Sequence, residues 1–129
     1  MSIHVEIVTP SEIAHKGDCE MVSAPGLMGE FGVLDMHAQT LAVTQAGVVA
    51  MQSGGQVTKF VVGPGFAEVG PDRLTLLVDQ CESADGIDKA AAQTDLDAAY
   101  AELAELYMFS EEGLQARKRA NLAQARLLS

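Results

Sequence analysis

The 129-residue sequence has few of the residues that nucleic-acid binding and membrane insertion require. Eight Lys and Arg side chains stand against eighteen Asp and Glu side chains, which gives a net charge of -10. We expect no nucleic-acid partner, because such a protein needs a positive face to displace counterions from phosphates. No apolar run approaches the roughly 18 residues that cross a bilayer, and no secretory signal opens the chain. These absences predict a cytoplasmic chain without direct membrane insertion.

Cysteine and histidine are also scarce, which argues against redox, metal and nucleophilic chemistry. Cys19 and Cys81 lie far apart without a CxxC motif, which is typical of reduced thiols in the cytosol. The three histidines form no close pair, so we predict no metal site; Asp35 and His37 together would supply only two ligands. No spacing indicates a nucleophile held against a base.

From Ser2 to about Asp79 the apolar residues recur with period two, as in half-buried strands. The stretch "IHVEIV", Ile3 to Val8, is the clearest case. Paired glycines in "SGGQ", Ser53 to Gln56, predict a hairpin turn, and "GPDR", Gly70 to Arg73, predicts a type I turn. Short strands separated by turns indicate a sandwich or a barrel.

After Gly86 the period becomes helical, and two helices are predicted. The capping-box pair Thr94 and Asp97 leaves open a restart of the first helix. Ser110 is the predicted N-cap of the second helix. Each helix carries a seam of small and apolar residues, which predicts an antiparallel hairpin. These seams are Leu96, Ala99, Leu103 and Tyr107 on the first helix, and Ala116, Ala120, Ala123 and Leu127 on the second.

The glycine-rich stretch "APGLMGEFGVLDMH", Ala24 to His37, does not fit a phosphate-binding loop. It has the spacing GxxGxxG instead of GxGxxG, and no Lys or Arg occurs between Lys16 and Lys59. We therefore interpret the stretch as a tight turn that presents side chains to a partner.

Three segments of the sequence resemble the family of epsilon subunits of bacterial F-type ATP synthases, equivalent to the mitochondrial delta subunit. They are "VSAPGLMGEFGVLDMHAQTLAVTQAGVV", "KFVVGPGFAEVGPDRLTLLVDQ", and "GIDKAAA" before an alanine-rich helical hairpin. The resemblance covers essentially the whole chain. It implies an N-terminal antiparallel β-sandwich of about ten strands in residues 1–83 and an antiparallel two-helix hairpin in residues 84–129.

The resemblance also implies a function without an active site in this chain. The subunit would lie at the foot of the central stalk, on the cytoplasmic side of the bacterial inner membrane, and would link the gamma subunit to the ring of membrane c subunits. Met28, Glu30 and Phe31 align with the c-ring contact, and His37 and Leu41 with the gamma contact.

Two regulatory properties follow from the same resemblance. In relatives, ATP binds at a motif I/L-D-x-x-R-A together with arginines of the second helix. Here the corresponding residues are Ile87, Asp88, Arg119 and Arg126, but Ala91 replaces the motif's arginine, so the nucleotide site is expected to be weak and no cofactor is expected. The basic second helix could also inhibit ATP hydrolysis by reaching the alpha and beta catalytic subunits.

Two other functions remain open from the residues alone. One is a small β-barrel enzyme that holds a metal ion at Asp35 and His37. The other is a generic adaptor that docks through the helical hairpin.

Overall fold

A computed structural model describes residues 2–27, 29–33, 40–105 and 110–129, with the backbone only at Glu30 and Val33. Ten strands precede two helices, as predicted. The strands are β1 (Ile3–Val8), β2 (Ile13–Cys19), β3 (Met21–Gly26), β4 (Gly29–Val33), β5 (Thr40–Thr44), β6 (Gly47–Ser53), β7 (Gln56–Val62), β8 (Gly65–Gly70), β9 (Arg73–Val78) and β10 (Cys81–Ser83); the helices are α1 (Lys89–Glu105) and α2 (Glu111–Leu128).

The strands join edge to edge in the order β10-β7-β6-β3-β5-β8-β9-β1-β2, and β4 pairs with β3. Period-two side chains on their inner faces enclose one core, whose largest fully buried members are Ile3, Ile7, Leu74 and Leu76. The fold is thus the β-sandwich that the resemblance implies, one of the two architectures that the period left open. One detail differs: β1 and β9 are parallel, while the other pairs of described strands are antiparallel.

Both predicted turns form where expected. The Ser53–Gln56 turn joins β6 to β7, with Gly54 at φ 59° and Gly55 at φ 81°. Positive φ at both central positions is the geometry of a type I′ hairpin turn, which glycine adopts without strain. The Gly70–Arg73 turn joins β8 to β9.

The helix ends follow their capping residues. The Asp88 carboxylate accepts a hydrogen bond of 3.1 Å from the Ala91 N–H, and the Ser110 hydroxyl accepts one of 3.0 Å from the Gly113 N–H. Ser110 is therefore the N-cap that the sequence predicts. Helix α1 runs without interruption through Thr94, whose hydroxyl donates to the Ala90 carbonyl, so the proposed restart at Thr94 is wrong.

The two helices pack along the predicted seams. Leu96 and Ala99 of α1 meet Ala120 and Ala123 of α2, with Leu103 and Leu127 at the margins. Tyr107 lies outside the described residues.

Adjacent leucines in β9 give a direct test of the core. Leu76 is 0% exposed, whereas its neighbour Leu77 points to the opposite face and is 46% exposed. We expect Leu76→Ala to lower the free energy of unfolding by about 3 kcal/mol, through lost burial and a residual cavity. Leu77→Ala, the matched control, should cost less than about 1 kcal/mol. Urea denaturation of the full chain measures both, and equal losses would contradict the described pleat.

A second prediction concerns His4 of β1, whose ring contacts one carboxylate on β2 and one on β1. Its ring nitrogens lie 2.8 Å from an Asp18 oxygen and 3.3 Å from a Glu6 oxygen. The hydrogen bond to Asp18, and then that to Glu6, raise the pKa of His4 above 6.5. A raised pKa in the folded state stabilises the fold below pH 6.5, and this stabilisation is lost as the pH rises through the folded value.

The difference in urea midpoint between the wild type and His4→Gln should therefore be largest near pH 5.5 and vanish at alkaline pH. Asp18→Asn should remove most of this pH-dependent difference, because Asp18 is the main cause of the shift. A difference that grows with pH would have the wrong sign.

Candidate partner-binding surface

The described residues of the glycine-rich stretch lie in a hairpin formed by β3 and β4. Gly26 is paired with Gly29 across the hairpin, and Gly29 has φ 123°. A Cβ atom on Gly26 would lie 2.7 Å from the Gly29 carbonyl oxygen and 2.8 Å from the Phe31 ring. These glycines therefore permit a close approach of the two strands, and the exposed Leu27 occupies the tip.

Two backbone hydrogen bonds tie the hairpin to β5. The Leu27 N–H donates to the Val43 carbonyl at 3.0 Å, and the Gln45 N–H donates to the Pro25 carbonyl at 2.9 Å. The tip is thus held against the sheet.

The predicted contact residues have different environments. The Glu30 backbone lies in β4 opposite Pro25, and Phe31 is half-buried against the core, where its ring supports the hairpin. Leu41 is 70% exposed on β5. Met28 and His37 lie outside the described residues, as does the Glu30 side chain.

Strand register places five apolar residues in one line across the outer face of the sandwich. Val43 pairs with Phe66, Phe66 with Leu77, Leu77 with Val8, and Val8 with Ile13. Four of them (Val43, Phe66, Leu77 and Ile13) are between 46% and 58% exposed, and Val8 is partly buried. Directly paired side chains share a face and touch their neighbours. We call this line the outer apolar row.

A second row runs beside the outer apolar row, two residues along each of the strands β5, β8, β9 and β1, and it is polar except for the exposed Leu41 on β5. In this row Glu68 pairs with Leu41 and Thr75, and Glu6 pairs with Thr75 and Lys16. A contiguous exposed apolar surface with a polar rim is typical of a protein-binding site, whereas scattered exposed apolar residues are not.

Sequence reasoning missed the outer apolar row. A signal existed in "RLTLLV", because consecutive Leu76 and Leu77 cannot both face the core of a pleated strand. The neighbours of Leu77 on β8 and β1, however, depend on register between strands distant in sequence, which the local pattern does not contain.

The opposite outer face is covered by α2. Val61 lies between the core-facing residues Phe60 and Val62, so the pleat directs it outward, yet it is 1% exposed. Helix α2 contacts β6 and β7 here, and Leu122 and Ala125 of α2 are buried although they lie outside the helix–helix seam. Among the described residues, the sandwich thus has one outer face covered by α2 and one that carries a partly exposed apolar row.

Ion pairs reinforce the docking of α2. Lys118 pairs with Asp79 before β10, and Arg126 pairs with Glu82 in β10. These side chains are partly exposed, so each pair contributes modestly, under about 1 kcal/mol.

The predicted nucleotide residues are only partly brought together. Ile87, Asp88 and Arg126 line a cleft of about 350 Å³, which Ala91 also lines. Arg119 pairs with Glu102 elsewhere on the hairpin and does not line this cleft.

The electrostatics of this cleft disfavour an anion. Four carboxylates line it, and among its described lining residues Arg126 alone is cationic. That guanidinium already faces Glu82 and, at 3.8 Å, Asp95. Like charges at close range repel a phosphate group.

The described residues contain no group of three or more His, Cys, Asp and Glu side chains placed to hold a metal ion. Asp35 and His37, the alternative ion-binding pair, lie outside them. Within the described part of the chain, neither helix has the length and apolar content to span a bilayer. Cys19 and Cys81 are free thiols, and burial raises the pKa of Cys81 to about 11.

Two solved structures share this fold. A chain of the Euglena gracilis mitochondrial ATP synthase, from an assembly of OSCP, F1 and c-ring, has a TM-score of 0.82 at 19% identity, covering 96% of this chain and 78% of that one. A chain from the central stalk and c-ring of the Tetrahymena thermophila mitochondrial ATP synthase has a TM-score of 0.62 at 12% identity, covering 97% and 96%. At these identities the likeness concerns the fold alone.

Sequence comparison is more specific. Residues 2–84 match the family described as "ATP synthase, Delta/Epsilon chain, beta-sandwich domain". The ATP synthase epsilon chain of Magnetococcus marinus is 37% identical over 98% of this chain and 93% of that protein. The epsilon chain of Bacillus subtilis is 39% identical over 71% of this chain and 70% of its own length. The resemblance seen in the sequence is confirmed, and the chain belongs to the ATP synthase delta/epsilon chain family.

Proposed function

We propose that this chain is a non-catalytic subunit of the central stalk of an F-type ATP synthase. It links the gamma subunit to the c-ring, turns with them, and so couples proton translocation to ATP synthesis in other chains. Family membership supports the assignment, and the outer apolar row is the observation that carries it, because it offers a protein partner a ready apolar surface.

The gamma subunit is the proposed occupant of the outer apolar row. The resemblance assigns a gamma contact to Leu41 and His37, and Leu41 precedes Val43 by two residues on the same face of β5. The row extends this contact through Phe66 and Leu77 toward β1. Burying such half-exposed side chains against an apolar partner is favourable by roughly 25 cal/mol per Å².

The c-ring contact is proposed at the tip of the β3–β4 hairpin. The paired Gly26 and Gly29 bend the chain tightly, and the tip projects Leu27 into solvent. Glu30 follows directly in β4 and would pair with a basic group on the polar loops of the c-ring. Phe31 would contribute to this contact partly in an indirect way, because its ring packs on the core and so supports the hairpin.

No active site and no resident cofactor form part of this proposal. Catalysis would reside in other chains of the synthase, and this chain would be peripheral on the cytoplasmic side of the bacterial inner membrane. The family assignment leaves the metal-dependent enzyme and the generic adaptor without support.

Regulation by the hairpin is a separate part of the proposal. Inhibition of ATP hydrolysis would need the basic groups of α2 to reach the catalytic alpha and beta subunits. In this structure Lys118, Arg119 and Arg126 face the chain's own carboxylates. The docked hairpin is therefore the non-inhibiting state in this proposal, and Ala91 and the acidic cleft argue against ATP as its regulator.

Phe66 provides the test of the gamma-binding surface. We expect Phe66→Glu to weaken binding to the gamma subunit by about 30-fold or more, because a charge would be buried at the centre of an apolar contact. Biolayer interferometry with purified gamma subunit from the same organism measures the change. Val57→Glu is the matched control, since Val57 is 56% exposed, close to the 50% of Phe66, but lies outside the row.

Unchanged affinity of Phe66→Glu, or equal loss in Val57→Glu, would contradict this placement of the gamma subunit. Urea denaturation of each variant ensures that the comparison concerns folded proteins.

Glu30 provides the test of the c-ring contact. We expect Glu30→Lys to reduce proton pumping per ATP hydrolysed at least about twofold in inverted membrane vesicles, because repulsion replaces an attractive pair. Glu30→Gln should give a smaller loss. Glu105→Lys makes the same charge change at the end of α1, where a basic residue suits the helix dipole, and should leave coupling intact. Normal pumping by Glu30→Lys would remove Glu30 from the contact.

A further inference from the structure

The open end of the helical hairpin is held by one lysine. Helices α1 and α2 are joined through residues 106–110, so the start of α1 and the end of α2 form the end without a connecting loop. The Lys89 ammonium lies 2.6 Å from the Arg126 carbonyl oxygen, 3.2 Å from a main-chain oxygen of Leu127 and of Ser129, and 3.1 Å from the Ser129 hydroxyl. Lys89 therefore binds the terminal carbonyls of the other helix.

The position of Lys89 is unfavourable for its own helix. It is the first residue of α1, where the helix dipole places partial positive charge. The final carbonyls of α2 lack the N–H groups that a further helical turn would supply, and they carry partial negative charge. The Lys89 ammonium has three protons to donate to the oxygens around it, so the placement of Lys89 is explained by α2 and not by α1.

Arg126 extends the same contact to the sandwich. Its carbonyl accepts from Lys89, while its guanidinium pairs with Glu82 of β10 and lies 3.8 Å from Asp95 of α1. The Ser129 hydroxyl donates back to the Arg126 carbonyl at 2.6 Å. The last turn of α2 is thus joined to both α1 and β10.

The seam between the helices makes this polar contact important. Its fully buried members include Ala99, Ala120 and Ala123, which bury little apolar area each. Contacts that bury little apolar area leave a helix end easier to open. The charged contact lies at the end where the apolar seam reaches only the partly buried Leu127.

We propose that Lys89 is a latch that closes the open end of the hairpin, and that with Arg126 it holds the last turn of α2 on α1 and the sandwich. The latch lies at the surface, so salt, or loss of the charge on Lys89, loosens it. This inference does not depend on the proposed central-stalk function, because it concerns the isolated chain.

Hydrogen–deuterium exchange of the full-length isolated chain tests the latch. We expect Lys89→Met to increase the exchange rate of amides in residues 123–129 by about tenfold, the effect of losing a charged hydrogen-bonding partner. Lys89→Arg should restore part of the protection. Lys16→Met is the matched control, because Lys16 is exposed on β2 and its ion-pair partner among the described residues is Glu6 of β1.

A second measurement separates the latch from general destabilisation. Exchange in the core strands β1 and β9 should be the same in Lys89→Met and the wild type, since Lys89 is exposed. Raising the salt concentration to about 1 M should speed exchange at the end of α2 more in the wild type than in Lys89→Met. Equal exchange in residues 123–129 of wild type and Lys89→Met, or an equal effect of Lys16→Met, would overturn the proposal.

Discussion

The pleat of ten short strands is the constraint on which the molecule depends. Because successive side chains alternate between faces, each strand can give one face to the shared core and must leave the other outside. Helix α2 covers the outer face around Val61. The outer apolar row, on β5, β8, β9, β1 and β2, has no such cover from the described residues. The proposed partner-binding surface is therefore an apolar outer face that the described residues leave exposed.

The charged side chains also support the docking of α2 on the outer face that it covers. The chain is strongly acidic, yet its second helix is rich in basic residues, and three of them face carboxylates of α1 and the sandwich. Each exposed pair is weak, but together with the buried Leu122 and Ala125 they select one docking position for an alanine-rich hairpin. Burial of apolar side chains provides the attraction between the hairpin and the sandwich, and the ion pairs fix how the hairpin is oriented.

Local sequence patterns predicted the parts of the fold that depend on interactions within a few residues. Alternation in "IHVEIV", the glycine pair at Gly54 and Gly55, and the Ser110 cap each act within a few residues, and each appears as predicted. The pairing of Leu77 with Val8 and Phe66 joins segments far apart in the chain, so no local pattern contains it. The Lys89 contact was missed for the same reason, because its partners lie at least 37 residues away. Phe31 was predicted as a contact residue from alignment, which does not reveal that its ring is half-buried.

The parallel pairing of β1 with β9 has a consequence for the order of assembly. β1 lies between β2 and β9, and only β2 follows it closely in the chain. During synthesis, Ile3, Val5 and Ile7 must wait for about seventy further residues before Leu74 and Leu76 can cover them. A nascent chain therefore carries an incomplete N-terminal hairpin with an apolar face until β9 leaves the ribosome, and only then can the core close.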